Sequence, residues 1–128
     1  AASAGADTAY IEEEKQRQLK VMRQRRAQYT AARSPIDPAG RIVIVVDDGL
    51  ATGATMISAL HALRARKPAR LIAAVPVAPP DTLRKVEKLA DETVCLEVPE
   101  YFMAVGQFYA EFPQVEDEEV VRLLRASR

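Results

Sequence analysis

The spacing of hydrophobic and polar positions changes character twice along the chain. Thr8–Arg33 contains neither Gly nor Pro and is rich in helix formers. Its acids Glu12–Glu14 come early and its arginines late, as a helix dipole favours. Ile11, Leu19, Met22 and Tyr29 form only a thin apolar stripe, so this predicted helix needs another element to pack on. Charged pairs such as Glu13–Arg17 suggest a solvated face for the rest. "SPIDPAG", Ser34–Gly40, then breaks the helix and reads as a linker.

From Arg41 onward the period shortens. Ile42–Val46 is an unbroken β-branched run, which predicts a strand covered on both faces. Ala54–Arg66 reads as a helix with Met56, Leu60 and Leu63 on one side. Arg70–Ala78 predicts a second apolar strand, Pro80–Ala90 a helix with proline in its first turn, and Thr93–Val98 a third strand. Alternation of strand and helix argues for an α/β fold, a Rossmann-like and mostly parallel sheet with right-handed crossovers. After it come an aromatic segment, "PEYFMAVGQFYAEFPQ", and a short helix, "VEDEEVVRLLRA", with acids in its first turn. The predicted organisation is an N-terminal helix and linker over 1–40 and an α/β domain over 41–128.

Composition narrows the class. The 128 residues are 48% hydrophobic and 28% charged, as in a globular protein, and no apolar run reaches membrane-spanning length. Net charge is zero, so neither a nucleic acid nor a membrane is an expected partner. Residues 1–41 nevertheless carry eight Lys/Arg against five Asp/Glu, and 42–128 carry ten against thirteen. With Cys95 alone there is no internal disulfide, so a cytoplasmic location is expected. Cys95 and the single histidine, His61, read as packing and surface residues.

The candidate chemistry lies in "RIVIVVDDGLATGATM", Arg41–Met56. Ligands of open α/β sheets bind beyond the carboxyl ends of the strands, and Asp47 and Asp48 stand at such an end. Gly49 and Gly53 allow tight turning and close approach, Thr52 and Thr55 supply hydroxyls, and the next helix presents free amides to an anion. A phosphate cradle beside two acceptor-only carboxylates suits a ribose 5-phosphate, with the carboxylates on the 2′ and 3′ hydroxyls. The same carboxylates suit Mg²⁺, directly or through water. There is no Gly-Lys-Ser/Thr, no Gly-x-Gly-x-x-Gly and no Gly-x-Ser-x-Gly. The plainer alternative, a buried strand and a capped helix with two solvated turn aspartates, explains less of the full string.

"VIVVDDGLATGAT" closely resembles the 5-phosphoribosyl 1-diphosphate (PRPP) signature of the type I phosphoribosyltransferases. The Arg-rich helix, "AAVPVAPP" and the aromatic tail extend the likeness to a bacterial subgroup, over roughly residues 9–126. The resemblance implies a transferase that joins a nitrogenous base to PRPP and releases pyrophosphate, with Mg²⁺ as cofactor. It implies that Asp47 and Asp48 hold the ribose and, indirectly, the metal, and that Ala51, Thr52, Gly53, Ala54 and Thr55 wrap the 5-phosphate. Ala51 stands where members acting on 6-oxopurines often carry an aspartate, which disfavours hypoxanthine and guanine. The tail implies a hood in which Tyr101 and Phe102 stack on the base. PRPP and a nucleobase-like molecule are the expected partners, and a homodimer is left open.

The family's pyrophosphate loop and first strands precede this region, and residues 1–40 contain nothing like them. The expectation is therefore a C-terminal part of a longer protein, consistent with an opening Ala, and an incomplete version of the fold. The rival expectation is a non-catalytic module that senses PRPP or a nucleotide, or a purely structural one, with the same fold.

Overall fold

The structure, a computed structural model, describes residues 2–127, with side chains from Asp7 onward. Contacts divide it into two compact units: the described parts of Ala1–Ile36 and Gln114–Arg128 form one, and Asp37–Pro113 the other. Among the described residues no helix is long and apolar enough to cross a membrane.

In the first unit, α1 (Ala2–Ala32) packs on α4 (Asp117–Ala126). The C-terminal helix answers only the Tyr29 end of the thin apolar stripe, where polar groups lock the contact, while Ile11 and Met22 stay exposed. Tyr29 Oη donates to Asp117 Oδ1 at 2.6 Å, Arg25 Nε lies 3.3 Å from the same carboxylate, and Arg33 Nη1 donates to the Ser127 carbonyl at 2.6 Å. That bond to Asp117 holds the Tyr29 hydroxyl above its ordinary pKa. The sequence division places α4 with the sheet; by contact it groups with α1, because its apolar stripe is answered there. On the solvated face, Arg17 pairs with Glu14 at 2.9 Å rather than with Glu13.

The second unit is a three-stranded parallel sheet in the order β1-β2-β3, comprising β1 (Ile42–Val46), β2 (Arg70–Val77) and β3 (Glu92–Glu97). The crossovers are α2 (Ala54–Arg64) and α3 (Pro80–Glu87). The strand order steps in one direction, and both helices pack on the same face, as the right-handed rule for such crossovers requires. There Leu71, Ala73 and Val75 of β2 meet Met56 and Leu60 of α2 and Val86 of α3, all buried, with Val43, Val45, Leu63 and Leu83 packed around them. Arg64 fastens the lower edge of this layer: its guanidinium donates twice to Asp91, at 3.2 Å each, and once to the Leu89 carbonyl at 3.1 Å. Asp91 also accepts the Leu71 amide at 2.8 Å.

The opposite face departs from the expectation of a strand covered on both sides. Ile42 is 67% exposed, Val46 72% and Leu96 81%, and Ile44 and Val94 are exposed as well. The register explains the clustering. Ile44 stands beside Ile72, and Val46 beside Ala74, which in turn pairs with Val94. Val46, Ala74 and Val94, together with Pro76 and Leu96, line a shallow apolar depression of about 230 Å³. Cys95 points to the helix-covered side, where burial pushes its thiol pKa up, and His61 is exposed.

Candidate functional site

β1 ends at Val46, and the chain turns across the top of the sheet before entering α2. The Asp47 amide still reaches the Ala74 carbonyl at 3.4 Å, and the Leu50 amide reaches the Val77 carbonyl at 3.0 Å. The turn is thus tied twice to β2. Leu50 is buried beneath it and roots the loop in the core.

Two glycines permit the path. Gly53 is the N-cap of α2 at φ +81°, a left-handed conformation that side chains resist, and a Cβ there would lie 2.7 Å from Thr82 Cγ2. A Cβ on Gly49 would lie 2.7 Å from Val105 Cγ1 and 2.9 Å from Val77 Cγ1. Thr82, a buried residue of α3, supports the loop from below by donating its hydroxyl to the Ala51 carbonyl at 2.8 Å.

The result is a cavity of about 190 Å³ whose lining includes Asp47, Thr52, Gly53, Ala54, Thr55 and Val105. The proposed phosphate cradle and one of the two acids therefore share one concavity. The N-cap residue Gly53 offers no side-chain cap and no acid lies in the first turn of α2, so the positive end of the helix dipole faces an anion-sized space without a carboxylate to neutralise it. The first N–H groups of a helix have no intrahelical acceptor. Thr52 Oγ1 comes within 3.4 Å of the Ala54 amide.

Asp48 is not in the cavity lining; it sits beside it. Its amide donates to Asp47 Oδ1 at 2.8 Å, and its carbonyl accepts the Tyr109 hydroxyl. Partial burial of the Asp48 carboxyl, and then its hydrogen bond with Asp47 and that neighbour's charge, raise it above the ordinary aspartate range. Two carboxyls this close gain when a cation or a pair of hydroxyl donors arrives. Among the described residues no group of three or more His, Cys, Asp or Glu side chains could hold a metal ion. The oxygen-only pair Asp47/Asp48 instead fits an ion such as Mg²⁺ that keeps most of its shell from water and substrate phosphates.

The tail places the aromatic candidates away from this cavity. Tyr101 is 85% exposed, and Phe102 stacks on Phe108 with ring centroids 5.4 Å apart. Neither lines the cavity. Instead the tail contributes Val105, from the short 3-10 helix Val105–Phe108, and Tyr109. Sequence reasoning missed Thr82 and Val105 as parts of the site, and it read Tyr109 only as one of the tail aromatics, not as a support of the acid turn. Gly49 and Gly53 hinted at Val105 and Thr82, since a glycine at a close approach implies a neighbour without naming it.

A family model of the phosphoribosyl transferase domain matches residues 5–113. Proteins from two strains of Mycobacterium tuberculosis, CDC 1551 / Oshkosh and ATCC 25618 / H37Rv, each bear the name "Putative phosphoribosyl transferase" and are 41% identical over 123 residues. The match takes in 95% of this chain and 28% of theirs, so the chain spans little more than a quarter of the length of these relatives. The crystal structure of TT1426 from Thermus thermophilus superposes with a TM-score of 0.81 at 42% identity, covering 94% of this chain and 57% of that one. The acid pair, the glycine-bearing loop at a helix N-terminus and the parallel sheet beneath them agree with that match, and the chain belongs to the type I phosphoribosyltransferase family.

Proposed function

We propose that the chain binds the 5-phosphoribosyl group of PRPP for transfer to a nitrogenous base with release of pyrophosphate. The observation that carries this reading is the single cavity in which Asp47 faces the loop Thr52–Thr55 at the start of α2. At about 190 Å³ it is smaller than the roughly 300–1,000 Å³ of sites that enclose a whole small ligand. That size suits a phosphate and part of a sugar.

In this reading the 5-phosphate lies against the residues Ala51, Thr52, Gly53, Ala54 and Thr55, taking hydrogen bonds from backbone amides and from the threonine hydroxyls. Asp47 and Asp48 accept from the 2′ and 3′ hydroxyls and fix the ribose ring. Asp47 and Asp48 would hold Mg²⁺ through water or through PRPP, and the ion would supply neutralisation of the pyrophosphate leaving group's charge. The chain's own contribution is orientation: it fixes the sugar so that the anomeric carbon can develop positive charge in line with leaving group and base. Of the two aromatics proposed to stack on the base, Tyr101 has its ring exposed, whereas Phe102 is engaged by Phe108.

The test is calorimetric titration of ribose 5-phosphate, and of PRPP with Mg²⁺, into the chain and into an Asp47→Asn, Asp48→Asn double variant. Loss of two charge-assisted hydrogen bonds should weaken ribose 5-phosphate by at least about tenfold. Equal affinity in a folded double variant would overturn the assignment of the acids to the ribose.

A further inference from the structure

The segment after β3 closes over the acid turn at two points, and both lie outside the PRPP signature. Val105 fills the notch left by Gly49, where any Cβ would collide with it, and lines the cavity beside Asp47. Four residues on, the Tyr109 hydroxyl donates to the Asp48 carbonyl. The Asp48 amide is meanwhile held by the Asp47 carboxylate at 2.8 Å. Asp48 is therefore pinned through both its amide and its carbonyl.

The clamp is itself braced. Gln107 Oε1 accepts the Met103 and Ala104 amides at 2.9 and 3.2 Å, which fixes the entry to the 3-10 turn. Tyr109 stacks on Phe112 at 4.9 Å between centroids, and Phe112 in turn lies close over Gly106, where a Cβ would sit 3.0 Å from its ring. Such a preorganised strap can set where a backbone points without a cost in ordering at each binding event.

We propose that Tyr109 is a positioning residue for ribose recognition: through the Asp48 carbonyl it sets the direction of the acid pair, with Val105 as the wall that keeps the turn against the loop. This rests on the reading of Asp47 and Asp48 as ribose acceptors. The tail thereby serves the sugar end of the site.

Tyr109→Phe removes the hydroxyl and keeps the ring on Phe112. Titration with ribose 5-phosphate, and separately with inorganic phosphate, reads the sugar and cradle functions apart. Loss of one hydrogen bond that holds the acids should weaken ribose 5-phosphate about five- to tenfold and leave phosphate within about twofold, with an unchanged melting temperature. In the ligand-free variant the Asp48 and Gly49 amide resonances should shift and exchange faster with solvent, while those of α2 and β2 stay in place. Two results would overturn the proposal: amide resonances and ribose 5-phosphate affinity equal to the parent's, or equal loss for both ligands with a lowered melting temperature. Should the parent chain itself fail to bind ribose 5-phosphate, the proposed function falls separately, and the ligand-free amide resonances still decide whether Tyr109 holds the turn.

Discussion

On one side of the sheet, Leu71, Ala73 and Val75 lie buried under α2 and α3; on the other, Ile42, Ile44, Val46, Val94 and Leu96 stand exposed. The two faces come from the same strands and are about equally apolar. They differ because the strand order steps one way and both crossover helices land on one side, as the right-handed rule for such connections requires. An apolar residue is thus a request for cover, and topology decides whether this unit answers it. Scattered exposed apolar residues are ordinary, but a contiguous row across three strands is not. The site is built at the C-terminal edge shared by the two faces, and it draws its supports, Leu50 and Thr82, from the covered side.

The sharpest way to break the comparison is a matched pair of truncations. Leu71→Ala, on a fully buried side chain, should cost about 2–5 kcal/mol in chemical denaturation. Leu96→Ala, at 81% exposure, should change stability by no more than about 0.5 kcal/mol. Similar losses at both positions would mean that the second face is covered in solution.

A smaller effect sharpens the link between the covered side and the site. Gly53→Ala forces a side chain into a left-handed residue and against the Thr82 methyl at 2.7 Å, which should cost about 1–3 kcal/mol and weaken phosphate binding. Adding Thr82→Ser removes that methyl and keeps the hydroxyl bonded to Ala51, so part of the loss should return. A double variant no better than Gly53→Ala would leave the backbone conformation as the whole cause.

The smallest expected effect is in pH dependence, where the two regions have opposite signs. The Arg64 guanidinium, and then the Leu71 amide, hold the Asp91 carboxyl below its ordinary range. A depressed folded value gives stability that is present above the unfolded value, near 4, and is lost as pH falls through the folded one. Asp48 is raised, so its contribution is present below the unfolded value and is lost as pH rises through the folded one. Denaturation curves across the acid range should therefore flatten below about pH 4 in Asp91→Asn, and lose their decline just above it in Asp48→Asn. A parent-like slope in Asp91→Asn would show that the exposed Arg64–Asp91 pair adds nothing measurable, as many surface pairs do.

The helices and strands of this chain were legible because their signals are local: a β-branched run for β1, short apolar segments for β2 and β3, proline at the start of α3, acids at the start of α4. The acid pair and its loop were legible for the same reason, since Asp47 through Thr55 is one continuous stretch and its φ-permissive glycines lie within it. Helix ends came out two or three residues short of the apolar pattern, with α2 stopping at Arg64 and α3 at Glu87. In both, the last turn of the pattern is spent on closing bonds, such as those of the Arg66 and Leu89 amides to carbonyls three residues back.

What the sequence alone determined, then, is the set of elements, the parallel class of the sheet, and the stretch that meets a phosphorylated sugar in the proposed function. Each follows from residues within one turn, one strand or one loop of each other. Only the tertiary structure decided which face of the sheet is covered, that α4 groups with α1, and that Thr82, Val105 and Tyr109 complete the site from 31, 56 and 61 residues away from the backbone groups they support. Those choices depend on crossover handedness and on where a distant chain returns, and neither leaves a period or a motif in the stretch it serves.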